Sequence, residues 1–105
     1  MFESSVYSPY MLVTTTVKEE WRNKVPAITH IDNSSRHQSV TVKNNPRFYS
    51  LISKFNEKTG VPVLLNTSFN GPHEPIVETP MDAIGTFLSN NLDILVINNI
   101  VITKG

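Results

Sequence analysis

Asn45-Pro46 and Gly60 punctuate this chain as a helix whose two ends are both specified. The Asn45 side chain can accept a hydrogen bond from the first helical turn. Pro46 suits the first helical position, where its fixed φ fits and its missing N–H is not needed. Gly60 accepts the left-handed conformation that closes a helix. Between them Phe48, Leu51, Ile52 and Phe55 recur at helical spacing and define one apolar stripe. Directly afterwards comes Val61-Pro62-Val63-Leu64-Leu65, an apolar run that reads as a buried strand. A helix feeding straight into a strand is a unit of α/β packing. The expected fold class is therefore α/β (α+β), a mixed twisted sheet with two main helices.

The second helix begins at Thr79-Pro80-Met81-Asp82, with Thr79 as cap and Asp82 favoured by the helix dipole. Met81, Ile84, Phe87 and Leu88 form its expected buried face, and Asn90-Asn91 ends it. Residues 92–97 and 100–103 read as strands around a turn at Asn98-Asn99. Upstream, residues 1–9 are polar and aromatic without periodicity and form an N-terminal segment, with the domain expected over 10–105. Residues 10–17 look like a strand, and 18–24 like one or two helical turns around Trp21. Pro26 enforces extended geometry on Val25. Residues 27–31 read as a strand, Asp32-Asn33-Ser34-Ser35 as a turn, and 36–43 as the hairpin partner of 27–31.

With 105 residues, the chain is at most one domain or a piece of one. Nine basic and nine acidic residues are interspersed, so formal net charge is zero. No basic patch exists to neutralise phosphates, which argues against a nucleic-acid partner. There is no cysteine, hence neither a disulfide framework nor a thiolate metal site. No apolar run reaches membrane-spanning length, and the N-terminus lacks a signal-peptide pattern. The chain reads as a cytoplasmic protein with no membrane partner.

Polar residues capable of chemistry gather in two places, around 29–38 and around 66–74. Asn66-Thr67-Ser68 follows the apolar run, at the end of a strand where α/β sheets most often bind ligands. Its amide and hydroxyls suit a phosphate or a planar carbonyl, and the alternative is a polar turn that satisfies its own backbone. Arg36 carries a guanidinium fork suited to phosphate, or is a solvated turn residue. Gln38 and Thr29 either line the same pocket or satisfy strand edges. His30, His37 and His73 lack metal-type spacing and read as structural or surface residues, so no metal is expected on this chain. Glu74 is an acid–base candidate or a turn element. Ser68 has no local histidine to activate it and reads as a positioning residue, so no catalytic residue is assigned. Arg47, in a first helical turn that does not favour a cation, is a candidate for binding or for a contact with the missing region.

Several blocks, taken in series, carry a family resemblance. They are Ser8-Pro9-Tyr10-Met11, Thr29-His30-Ile31-Asp32 with Arg36 and Gln38, Asn45-Pro46-Arg47-Phe48-Tyr49, Thr59-Gly60 through Asn70, Glu74-Pro75-Ile76-Val77, and Thr79-Pro80-Met81-Asp82-Ala83. In order and spacing they resemble the C-terminal region of the O-carbamoyltransferases of the nodulation and antibiotic-tailoring type.

The resemblance implies a two-domain enzyme. Its N-terminal domain, of actin-like ATPase fold with a histidine-bound metal, transfers a carbamoyl group to an alcohol. Its C-terminal YrdC-like domain makes carbamoyl adenylate from ATP and carbamoyl phosphate. This chain corresponds to the distal part of the YrdC-like domain, without the upstream arginine and lysine motifs. By the same resemblance Arg36 handles the acyl phosphate, while Asn66 and Ser68 lie near the adenylate and carbamoyl groups, with Thr67 and Gln38 beside them. The expected substrates are thus ATP and carbamoyl phosphate, and the expected partner is a separate N-terminal carbamoyltransferase portion. The isolated chain is expected to be inactive and to self-associate through an open sheet edge or apolar face. The competing reading is a stand-alone α/β binding module without catalysis.

Overall fold

Local hydrogen bonding decides most of the secondary structure. A computed structural model describes residues 1–3 and 6–105, which divide into two units, Met1–Leu65 and Asn66–Gly105.

In the first unit, strand β1 (Thr14–Thr16) pairs antiparallel with β2 (Ser34–Arg36), in register Thr14↔Arg36, Thr15↔Ser35 and Thr16↔Ser34. An isolated bridge between Phe2 and Val17 extends the pairing to the N-terminal residues. Val17 and Val25 are the buried apolar residues here, beside buried Thr15 and Ser35. Helix α1 (Glu19–Arg22) lies within the segment expected to turn helically.

The strand expected at 27–31 does not form. Pro26 instead opens a 3-10 helix, Pro26–Ile28. The Thr29 N–H donates to the Pro26 carbonyl at 3.2 Å and the Thr29 hydroxyl to the Val25 carbonyl at 2.8 Å. These contacts commit the Thr29 N–H and the Val25 and Pro26 carbonyls to a local turn in place of a ladder. β2 consequently takes β1 as its partner, and residues 37–41 carry no regular structure. The Asp32 carboxylate starts β2 by accepting from the Ser34 N–H (3.0 Å) and hydroxyl (2.6 Å).

Helix α2 (Pro46–Thr59) has both predicted ends. Asn45 accepts from the Phe48 N–H at 3.2 Å, and Gly60 closes the helix at φ 76°. No residue of α2 is buried, however, and Leu51 of the stripe is 56% exposed. Residues 61–65 are irregular rather than a strand. Pro62 removes a ladder donor from the middle of that short run.

The second unit packs helix α3 (Pro80–Ser89) on an antiparallel hairpin, β3 (Ile94–Ile97) and β4 (Ile100–Thr103). Thr79 caps α3 by accepting from the Asp82 N–H at 3.0 Å. Ala83, Phe87 and Leu95 are its buried core, with Phe69, Val77, Ile84, Ile97 and Ile102 packed around them. The buried face of α3 is Ala83, Thr86 and Phe87, whereas Met81 is 77% and Leu88 63% exposed. Small Ala83 shares the core with Leu95 of the hairpin. Asn98, at φ 53°, supplies the left-handed residue of the two-residue turn. The Lys104 ammonium donates to the carbonyl of Asn90, the α3 C-cap, and lies 5.0 Å from the Phe87 ring centroid. The class is α+β, with the strands of the described residues in two two-stranded antiparallel sheets rather than one mixed sheet.

Candidate functional site

The segment from Asn66 to Val77 is built as a loop tied at its neck. Phe69 and Val77 both pack against the Ala83–Phe87–Leu95 core, and the Val77 N–H donates to the Phe69 carbonyl at 2.9 Å. Inside that neck the Asn70 amide donates to the Glu74 carbonyl at 3.0 Å and to the Gly71 carbonyl at 3.3 Å. The Glu74 N–H returns to the Gly71 carbonyl at 3.1 Å, closing a turn with Pro72 and His73 at its centre. Pro72 at the second position and His73 at φ 62° are the marks of a type II turn. The tight turn therefore spans residues 71–74.

Gly71 is buried, and a Cβ added there would fall 2.7 Å from a Glu74 carboxylate oxygen. The Glu74 carboxylate therefore folds back over Gly71. Of the two roles open to Glu74, the structure shows the turn element.

Asn66, Thr67 and Ser68 precede this neck as consecutive exposed residues, with Ser68 next to the anchored Phe69. Arg36 is the exposed last residue of β2, and exposed Gln38 follows across half-buried His37. His37 stacks on Phe2 with ring centroids 5.2 Å apart, and its Nε2 lies 3.0 Å from the Val6 carbonyl. Arg36 and Gln38 thus belong to the first unit, and Asn66, Thr67 and Ser68 to the second. Thr29 is committed to the Val25 carbonyl. Exposed Arg47 sits in the first turn of α2.

Beside the tied loop, the second unit has an open groove of about 500 Å³. Glu74 and Ile76 form one wall, and Asp82, Gly85, Thr86 and Ser89 of α3 the other. Sequence reasoning missed the α3 wall. Its one signal was Gly85, which in a helix interior costs roughly 1 kcal/mol relative to alanine. Nothing lies within 4 Å of a Cβ built there, so Gly85 presents bare backbone to the groove without any close packing that demands glycine.

The Asp32 carboxyl is held below its ordinary value, first by the Ser34 hydroxyl, then by the Ser34 N–H, with His30 nearby. Among the described residues no group of three or more His, Asp or Glu could hold a metal ion. Among them, too, no helix is long and apolar enough to cross a membrane.

Comparison with known proteins places this arrangement in a family. A sequence profile described as "Carbamoyltransferase C-terminus" matches residues 1–104. The chain is 42% identical over 98% of its length to the uncharacterized protein sll1178 of Synechocystis, covering 20% of that protein. It is 44% identical over 91% of its length to nodulation protein NolNO of Sinorhizobium fredii, covering 14% of it. Nodulation protein NolO of Bradyrhizobium diazoefficiens gives the same identity and share of this chain, with 18% of that protein covered. The chain therefore spans a fifth or less of the length of these relatives. Matched from residue 1 to residue 104, the chain belongs to the carbamoyltransferase C-terminal family.

Proposed function

We propose that this chain supplies part of the site where a carbamoyltransferase forms carbamoyl adenylate from ATP and carbamoyl phosphate, for transfer to a hydroxyl acceptor. The observation that carries the reading is the family match over residues 1–104. Arg36 binds the acyl phosphate through its planar fork. The Asn66 amide and Ser68 hydroxyl orient the planar carbamoyl group by hydrogen bonds, with Thr67 beside them, and Gln38 takes a binding role near Arg36. None of the five acts as a nucleophile. The acceptor and the metal-bearing transfer centre belong to the rest of the enzyme, a separate or contiguous N-terminal portion. The setting we propose for this reaction is the cytoplasm.

What supports these roles is the exposure of Arg36, Thr67 and Ser68, together with the anchoring of Ser68 beside Phe69. Calorimetry with ATP and carbamoyl phosphate, with and without a supplied N-terminal portion, tests the reading. Arg36→Ala is expected to weaken carbamoyl phosphate binding about tenfold or more, since a hydrogen bond to a charged group is lost. Ser68→Ala is expected to cost a smaller factor, roughly three- to tenfold. Absence of heat for either ligand under both conditions refutes the assignment. The isolated chain is expected to transfer no carbamoyl group, and measurable transfer by it alone contradicts the division of labour.

A further inference from the structure

The β3–β4 hairpin is apolar on both faces. Leu95, Ile97 and Ile102 pack towards Ala83 and Phe87 of α3. On the opposite face stand Ile94, Val96 and Val101, which are 58%, 60% and 63% exposed, with Val96 and Val101 directly paired across the strands. Strands that read as nearly continuous aliphatic runs are those covered on both sides, and a two-stranded hairpin is marginal without further layers. Polar residues border this apolar patch: Asp93, Thr103 and Lys104 at one end, Asn98 and Asn99 at the turn. An apolar centre with a polar rim is the anatomy of a protein interface.

We infer that the Ile94–Val96–Val101 face is the seat of another part of the same carbamoyltransferase, which lays an apolar layer on the hairpin. The occupant is identified by the family reading and by length. Relatives of which this chain covers 14–20% carry the matched region within far longer chains. A second copy of this chain meets the face only where that layer is absent.

Because the chain has no cysteine, Val96→Cys and the control Ile31→Cys each give a single reporter thiol. Each variant is labelled with a soluble maleimide in the 105-residue chain, and again after the chain replaces the matched region of the Synechocystis relative. Peptide-resolved mass spectrometry reads the two positions. Position 96 is expected to react freely in dilute isolated chain and at least tenfold more slowly in the chimera, with position 31 less affected. Equal rates at position 96 in both settings overturn the inference. So does protection that grows with concentration of the isolated chain while position 96 stays freely reactive in the chimera, which assigns the face to a second copy. Val101→Lys supplies an independent readout. It is expected to leave the melting temperature of the isolated chain nearly unchanged and to lower that of the chimera by several degrees, and equal shifts refute the proposal. Neither measurement needs ATP or carbamoyl phosphate, so failure of the catalytic reading leaves this result distinguishable.

Discussion

Helices α2 and α3 begin alike and end up differently. Each starts with a side-chain cap and a proline in its first turn, Asn45-Pro46 in one and Thr79-Pro80 in the other. α2 has the cleaner apolar stripe in sequence, yet none of its residues is buried, while α3 buries Ala83, Thr86 and Phe87. The difference lies outside the helices. α3 is followed by a hairpin whose aliphatic face returns against it. α2 is followed by a run broken at Pro62 that forms no strand. Caps and periodicity decide that a helix forms; a neighbouring surface decides whether its stripe becomes a core.

The strongest test of this contrast is truncation of one aromatic in each helix. Phe87→Ala removes a fully buried ring and is expected to destabilise the second unit by about 3–5 kcal/mol. Phe55→Ala, at a residue 37% exposed, is expected to cost under about 1 kcal/mol in the isolated chain. Urea denaturation followed by residue-resolved NMR reads both, and equal costs would erase the distinction.

The caps give a smaller and more even effect. Thr79→Ala and Asn45→Ala should each cost about 1 kcal/mol. Loss of the Thr79 cap is expected to weaken protection across the packed hairpin as well, because α3 and β3 share a core. Loss of the Asn45 cap is expected to fray only the first turn of α2. Amide exchange at Leu95 and at Tyr49, whose N–H donates to the Asn45 carbonyl, discriminates the two, and loss of protection at Leu95 in Asn45→Ala runs against the picture.

The smallest effect concerns the turn into β2. The folded Asp32 carboxyl titrates below its unfolded value, so its contribution to stability is present above the ordinary carboxylate pKa. That contribution fades as pH falls through the lower, folded value. Asp32→Asn is expected to flatten this acid-side slope. A carboxyl carbon titration showing an unshifted Asp32 breaks the account.

What was readable in the sequence follows the range of the interactions. Asn45, Gly60, Thr79 and Asn98 act within a few residues of themselves, and each behaves as its chemistry demands. The readings that changed depend on competition or on distant partners. At 27–31, Pro26 and the Thr29 hydroxyl satisfy the backbone before any strand can. On α3, Ala83 was too small to count towards an apolar face, yet it shares the core with Leu95 of the hairpin. For the candidate site, Asn66, Thr67 and Ser68 were legible as a polar cluster after an apolar run. The Phe69–Val77 neck and the α3 wall were not, since both arise from packing between segments that share no local pattern.

The neck at Phe69 and Val77 bears on how this surface tolerates change. Closing a loop of this length costs conformational entropy, and here that cost is met during folding by a backbone hydrogen bond and two core anchors. The interior of the loop is thereby uncoupled from its ends. Insertions at Pro72-His73 lengthen a tip whose base stays clasped, and such sites accept new residues readily. A single residue inserted between Ser68 and Phe69 instead shifts the polar cluster off its post. The same few residues thus separate a region free to diverge from one held in strict register.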